Sequence, residues 1–149
     1  LHVDSIILAA EHIFAEVLGV KLKHGRPFVK TSPFAADSVV VVIGFNGDVE
    51  GQVIYSFRND YAKNVASIMC GMNLKELDEL SMSALGELCN MISGRLVTHF
   101  DKLAGQKVGI TPPTVLTGKS MQIAVKTPVL CIPYEENGEV AFEINYSLR

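Results

Sequence analysis

The period of the hydrophobic positions changes along the chain, and each change marks an element. Over residues 4–18, Ile6, Ile7, Ala10, Ile13, Phe14 and Val17 recur at helical spacing, with Gly19 as the stop. Residues 21–33 are polar and contain proline, with a short strand expected at Phe28–Lys30. Residues 38–45 are dense in β-branched side chains, and Asn46-Gly47 separates them from a second such run, 49–57. Asn-Gly between two runs of this kind predicts a hairpin on a type I′ turn, which needs positive φ at both central positions. Residues 59–69 return to helical spacing, with Asn59 or Asp60 as cap and Gly71 as stop. Residues 77–103 form a long proline-free helical stretch, whose start Glu76, Asp78 and Glu79 favour through the helix dipole. Strands are expected at Val108–Ile110, Thr114–Thr117, 121–127 and 129–134, before Asn137-Gly138 turns the chain into a last strand, 140–147.

The two hairpins repeat at a fixed offset of 91: Asn46-Gly47 falls on Asn137-Gly138, Val49 on Val140, Val53 on Ile144, and Tyr55-Ser56 on Tyr146-Ser147. Thr31-Ser32-Pro33 resembles Thr111-Pro112-Pro113, and the first helix corresponds to the long one when Gly19 is set against Gly94. Each half, about 1–75 and 76–149, then holds a helix, a proline-marked strand and a hairpin, with one extra strand in the second. The expected architecture is a single α+β domain over 1–149, a pseudo-duplicated antiparallel sheet covered by two long helices.

Composition narrows the function classes. With 48% apolar and 19% charged residues the chain is not disordered. A net charge of −3 without a basic cluster argues against nucleic acid as partner. No apolar run approaches the roughly 18–20 residues of a membrane-spanning helix, and residues 1–8 contain Asp4 and no basic segment, unlike a signal peptide. Cys70, Cys89 and Cys131 are odd in number, widely spaced and set among apolar residues, so buried free thiols and a reducing cytoplasm are expected. His2, His12, His24 and His99 are scattered and make no metal-ligand set. His99 projects to the core edge, where a satisfied structural histidine is expected. Gly44, Gly47 and Gly51 belong to a hairpin, since no Gly-Lys-Ser/Thr follows them.

Candidate chemistry concentrates on the long helix. At about 100° per residue, Leu85, Leu88, Cys89, Ile92, Leu96 and Leu103 form the core stripe. Ser83, Glu87, Asn90, Gly94 and Asp101 lie opposite, with Glu87 and Asn90 as surface neighbours. Ser83, Gly86 and Gly94 beside them are small, and glycine inside a helix costs about 0.5–1 kcal/mol relative to alanine. Something therefore comes close to the backbone here, either an element of the same domain or another protein. Cys89 projects inward without a basic neighbour, which makes a catalytic thiolate improbable.

Read as Ser-x3-Glu-x2-Asn-x22-Pro, Ser83, Glu87, Asn90 and Pro113 match at every spacing a signature that resembles that of the CheC/CheX/FliY family of chemotaxis phosphatases. The hairpin Gly47-Asp48-Val49-Glu50-Gly51-Gln52-Val53 is also similar, and the resemblance runs over nearly the whole chain. The CheC-like branch carries the Glu-x2-Asn motif on both equivalent helices; here His12 falls opposite Glu87 and Ala15 opposite Asn90. One motif rather than two resembles the CheX branch, and no residues remain for the switch domain of FliY-like members.

The resemblance implies a phosphatase acting on the aspartyl phosphate of a CheY-like response regulator. The partner would bring Mg²⁺ and an active-site lysine, and this chain no cofactor of its own. Glu87 and Asn90 would be catalytic, Asn90 orienting water through an amide that both accepts and donates and Glu87 pairing with the lysine. Ser83, Gly86 and Gly94 would face the partner, and Pro113 would shape the strand entry behind the helix. The resemblance also implies a homodimer formed by sheet edges. The alternatives are a non-catalytic dimeric docking module of a two-component system, and a dimeric structural domain in which the pair serves only solubility.

Overall fold

The computed structural model describes residues 2–125 and 128–149. Among these residues three α-helices, α1 (Val3–Ile13), α2 (Asn59–Cys70) and α3 (Glu79–Ala104), and a π-helical turn accompany nine strands. The strands are β1 (Phe28–Lys30), β2 (Phe34–Ala35), β3 (Val39–Gly47), β4 (Gly51–Phe57), β5 (Val108–Ile110), β6 (Thr114–Thr117), β7 (Gln122–Ile123), β8 (Val129–Glu136) and β9 (Glu139–Leu148). Seven make one sheet in the order β1-β8-β9-β4-β3-β5, with β6 also on β3, and all its pairings are antiparallel.

Both faces of this sheet are covered, which explains why β3 is a continuous run of valines rather than an alternation. Val39, Val41 and Ile43 join the main core with Val53, Tyr55 and Phe57 of β4, Phe142 and Ile144 of β9, and the inner faces of the three helices. Val40 points the other way, into a smaller core with Ile54, Val129 and Phe34, under the separate pair β2–β7. Phe142 is the hub of the main core, its ring centroid 4.7 Å from Phe57 and 5.4 Å from both Phe14 and Tyr134. At the centre of the sheet Ile54 pairs with Asn145, two residues related by the offset of 91, and Asn145 Nδ2 donates to Ile54 O at 3.4 Å.

The two Asn-Gly signals have different outcomes. Asn137 and Gly138 take φ of 54° and 80° and join Glu136 to Glu139, the expected tight turn. Asn46 and Gly47 instead remain in β3, opposite Gly109 and Val108 of β5. The reversal follows at Asp48, Val49 and Glu50, so β4 begins at Gly51 rather than at Val49, which is a buried turn residue. Lys107 is the cause: its backbone carbonyl accepts from Asp48 N at 3.0 Å while its own N donates to Asp48 Oδ2 at 2.8 Å. A Cβ at Gly47, where φ is 101°, would lie 2.5 Å from that carbonyl oxygen.

Several boundaries also differ from expectation. The first helix is α-helical only to Ile13 and closes with a π-helical turn, Phe14–Leu18. Arg58, not Asn59 or Asp60, holds the cap position of α2; Asp60 Oδ1 accepts from Tyr61 N at 2.7 Å and pairs with Arg58. The strand expected over 121–127 shortens to β7, and Lys126 and Thr127 lie outside the described residues. Leu103 is 77% exposed rather than in the core: residues 101–105 are all exposed, because the last turn of α3 overruns the sheet. Phe100, which packs on the His2 ring at 4.8 Å, is the last core residue of that stripe.

Candidate functional site

Helix α3 is placed by a cap at its exposed start and by two contacts on its hidden side. Asp78 caps it by accepting from Ser81 N at 2.9 Å, while Ser81 Oγ donates to Asp78 O at 2.8 Å. These bonds hold the Asp78 carboxyl below the usual aspartate range, the backbone N–H of Ser81 contributing most. Gly86 then faces inward. A Cβ there would sit 3.1 Å from Val115 Cγ2 and 3.5 Å from Pro113 Cγ. This corrects its expected place on the partner-facing rim: Gly86 is buried, and the element that comes close is β6 with the proline before it. Finally, Ser93 Oγ and Tyr55 Oη share a buried hydrogen bond of 2.7 Å from helix to sheet.

With the inner face so committed, the outer face presents Ser83 and Glu87 exposed, with Asn90 and Gly94 half-buried. Three residues apart, Glu87 and Asn90 have Cβ atoms about 5–6 Å from one another. Among the described residues neither side chain hydrogen-bonds or pairs with another group. Beside Gly94 the space is open, with nothing within 4 Å of a Cβ built there. Arg95, the nearest cation in sequence, reaches Glu16 at 3.3 Å, and Glu16 also meets His12 Nε2 at 2.9 Å. Asp101 pairs with Lys107 at 2.8 Å.

The two buried thiols are unsuited to nucleophilic chemistry. Cys89 is fully buried, and burial pushes its thiol well above the ordinary range. Cys131 is buried too and donates to Glu143 Oε2 at 3.3 Å, whereas Cys70 is only half-buried. His99 is half-buried, but its Nδ1 is buried without a partner, against the expectation of a satisfied histidine. Among the described residues no group of three His, Cys, Asp or Glu is placed to hold a metal ion, and no helix is long and apolar enough to cross a membrane.

His12 on α1 and Ala15 in the π-helical turn that follows are exposed and line a groove of about 380 Å³ with Leu8, Glu11, Lys21 and Leu22. That groove holds no acid–amide pair. Apart from Leu103 and Gly86, the sequence pattern separates the core stripe of α3 from its outer face, but two of the helix's supports are missed. The partners of Gly86 come from β6, and the partner of Ser93 from β4. Ser93 does carry a signal, being a polar residue on the apolar stripe between Cys89 and Leu96.

Comparison with known proteins adds independent findings. The profile of the family described as Chemotaxis phosphatase CheX matches residues 39–135. The CheY-P phosphatase CheX of Thermotoga maritima is 37% identical over 148 residues, which cover 99% of this chain and 95% of that protein. Among solved structures, a chemotaxis protein CheX from Desulfovibrio desulfuricans is similar at a TM-score of 0.87 and 26% identity, covering 98% of this chain and 97% of that one. A CheX–CheY–BeF3–Mg²⁺ complex from Borrelia burgdorferi contains a chain similar at a TM-score of 0.86 and 26% identity, over 100% of this chain and 98% of that one.

Proposed function

The chain belongs to the CheX family of chemotaxis phosphatases, and from that premise we propose that it hydrolyses the aspartyl phosphate of a CheY-like response regulator, ending a chemotaxis-type signal. The observation that carries the reading is the uncommitted pair Glu87 and Asn90 on the outer face of a helix whose inner face is fully engaged. The Borrelia burgdorferi complex supports a CheY-type partner by likeness.

An acyl phosphate is already labile, so catalysis needs positioning more than new covalent chemistry. The Asn90 amide accepts from the attacking water and donates to a phosphoryl oxygen, and being neutral it does not repel the phosphoryl charge. The Glu87 carboxylate makes a charge-assisted hydrogen bond to the regulator's lysine and so holds the helix in the partner's cleft. Ser83 and the open side of Gly94 admit the partner's backbone. Mg²⁺ is assigned to the receiver domain, where it would neutralise phosphoryl charge.

The same reading places the protein in the cytoplasm and joins two copies at a sheet edge, for which β1, with Val29 63% exposed, is one candidate and β5 with β6 at the opposite end the other. It also takes the chain as two degenerate halves, about 1–75 and 76–149, a view supported by the Ile54–Asn145 pairing. The test is the decay of phosphate on each receiver domain of the source organism, with and without the protein. Accelerated decay is expected for at least one receiver. Equal decay with all of them overturns the reading, and binding without acceleration would leave a docking module.

A further inference from the structure

We propose that Tyr55 and Ser93 are positioning residues for the phosphatase reaction: their buried hydrogen bond sets the rotation of α3 about its axis and thereby aims Asn90 and Glu87. The proposal rests on the reading above but concerns residues that touch no substrate.

Tyr55 is a firm base for such a contact. It lies on β4, in the middle of the sheet, paired to Val41 on one side and to Ile144 on the other. Both Tyr55 and Ser93 are fully buried, and their oxygens are 2.7 Å apart. Burial, together with the nearby Cys89 thiol, holds the phenol neutral far into the alkaline range, so the bond persists at any ordinary assay pH.

The rest of the inner face of α3 has no comparable direction. Leu85, Leu88, Cys89, Ile92, Leu96 and Phe100 meet the core through apolar contact, which is non-directional. A hydrogen bond weakens steeply as its angle opens, so it resists rotation. Its place matters as well. Ser93 comes three residues after Asn90, while Gly86, seated on Val115 and Pro113, immediately precedes Glu87. The pair therefore stands between two points of attachment to the sheet.

The amount of rotation at stake is small. An outer side-chain atom lies about 5–6 Å from the helix axis, so a turn of roughly 10° moves it by about 1 Å. A misplacement of about 1 Å can cost on the order of a hundredfold in rate. Stability alone gives little reason for this bond, since replacing both partners of a buried hydrogen bond by apolar groups of similar shape is nearly neutral.

That last point supplies the test. Tyr55→Phe and Ser93→Ala are made singly and together, and Ser93→Thr, which keeps a hydroxyl, serves as the conservative rescue. Thermal unfolding, kcat and KM for phosphorylated receiver, and the ¹⁵N order parameter of the Asn90 side-chain amide in the free protein are measured. The double variant is expected to unfold close to wild type, yet to lose about ten- to a hundredfold in kcat with KM within about threefold, and to show a lower Asn90 order parameter. Ser93→Thr should retain kcat. A double variant with wild-type kcat and an unchanged order parameter overturns the proposal. If the wild-type protein dephosphorylates no receiver, the phosphatase reading fails, and the Asn90 order parameter alone decides: a drop in the double variant supports positioning, no change overturns it.

Discussion

Helices α1 and α3 pack side by side on the same face of the sheet, and only one of them carries the acid–amide pair. Helix α3 is α-helical through 26 residues, so Ser83, Glu87, Asn90 and Gly94 stay in one stripe. Helix α1 changes pitch after Ile13, so Ala15 leaves the phase that His12 would need for an equivalent pair. His12 is also engaged, meeting Glu16 at 2.9 Å, whereas Glu87 and Asn90 have no partner among the described residues. Their starts differ too: Asp78 caps α3, while His2 at the head of α1 makes no side-chain cap. The contrast teaches that a shared position on the scaffold is not enough. On the proposed reading the chemistry also needs an unbroken helical phase and side chains that nothing else holds.

The largest expected effect is on the Asn90 amide, to which the proposal gives the orienting of water. Asn90→Ala should slow dephosphorylation by on the order of a hundredfold or more while receiver binding persists, whereas His12→Ala on α1 should change the rate less than about twofold; stopped-flow or radiolabel decay measures both. Glu87→Ala should act through affinity instead, raising KM or the Kd for a beryllofluoride-loaded receiver roughly tenfold, as for a lost charge-assisted hydrogen bond. Unchanged binding would remove the lysine-pairing role.

Gly94→Ala separates rim from fold. With nothing within 4 Å, the added methyl should stabilise α3 by about 0.5–1 kcal/mol, while a partner seated against that spot loses affinity several-fold. Denaturant unfolding and binding titration should thus move in opposite directions. Grafting the pair onto α1 as His12→Glu with Ala15→Asn should add less than about a tenth of the wild-type rate to an Asn90→Ala background, because the π-helical turn misplaces the amide. A larger gain would mean that helical phase is not what keeps α1 silent.

The smallest effect concerns the caps. The Asp78 carboxyl is held below its ordinary pKa by Ser81, so its stabilisation is complete above the unfolded aspartate value of about 4. It is lost as pH falls through the depressed folded value. The gap in thermal midpoint between wild type and Asp78→Ala should therefore be full at neutral pH and close in that acid window.

What the sequence made legible follows the reach of its signals. The faces of α3 were readable because helical periodicity is local, and so was the turn at Asn137-Gly138. Asn46-Gly47 misled because β5, some 60 residues onward, captures those positions, and no local pattern announces that pairing. Gly86 was legible as a place of close approach but not as to what approaches, since Pro113 and Val115 are distant in sequence. Leu103 had the right phase and the wrong place, lying where the helix outruns the sheet. The β2–β7 cover was hard to read because each strand is two residues long. Ser93 could have been flagged as polar among apolar neighbours; its bond to Tyr55 needed the fold.

The exposure of Glu87 on an open helix face has a final consequence. On the proposed reading the chain is half of a composite catalyst, a key whose lock arrives with the substrate. If Glu87 and Asn90 are the site, a free acyl phosphate would find no enclosing wall on this exposed face, and turnover would be confined to phosphoryl groups that come mounted in a protein cleft. On that reading, discrimination between regulators would belong to the fit of the cleft around Ser83 and Gly94, and a change of client would leave Glu87 and Asn90 untouched.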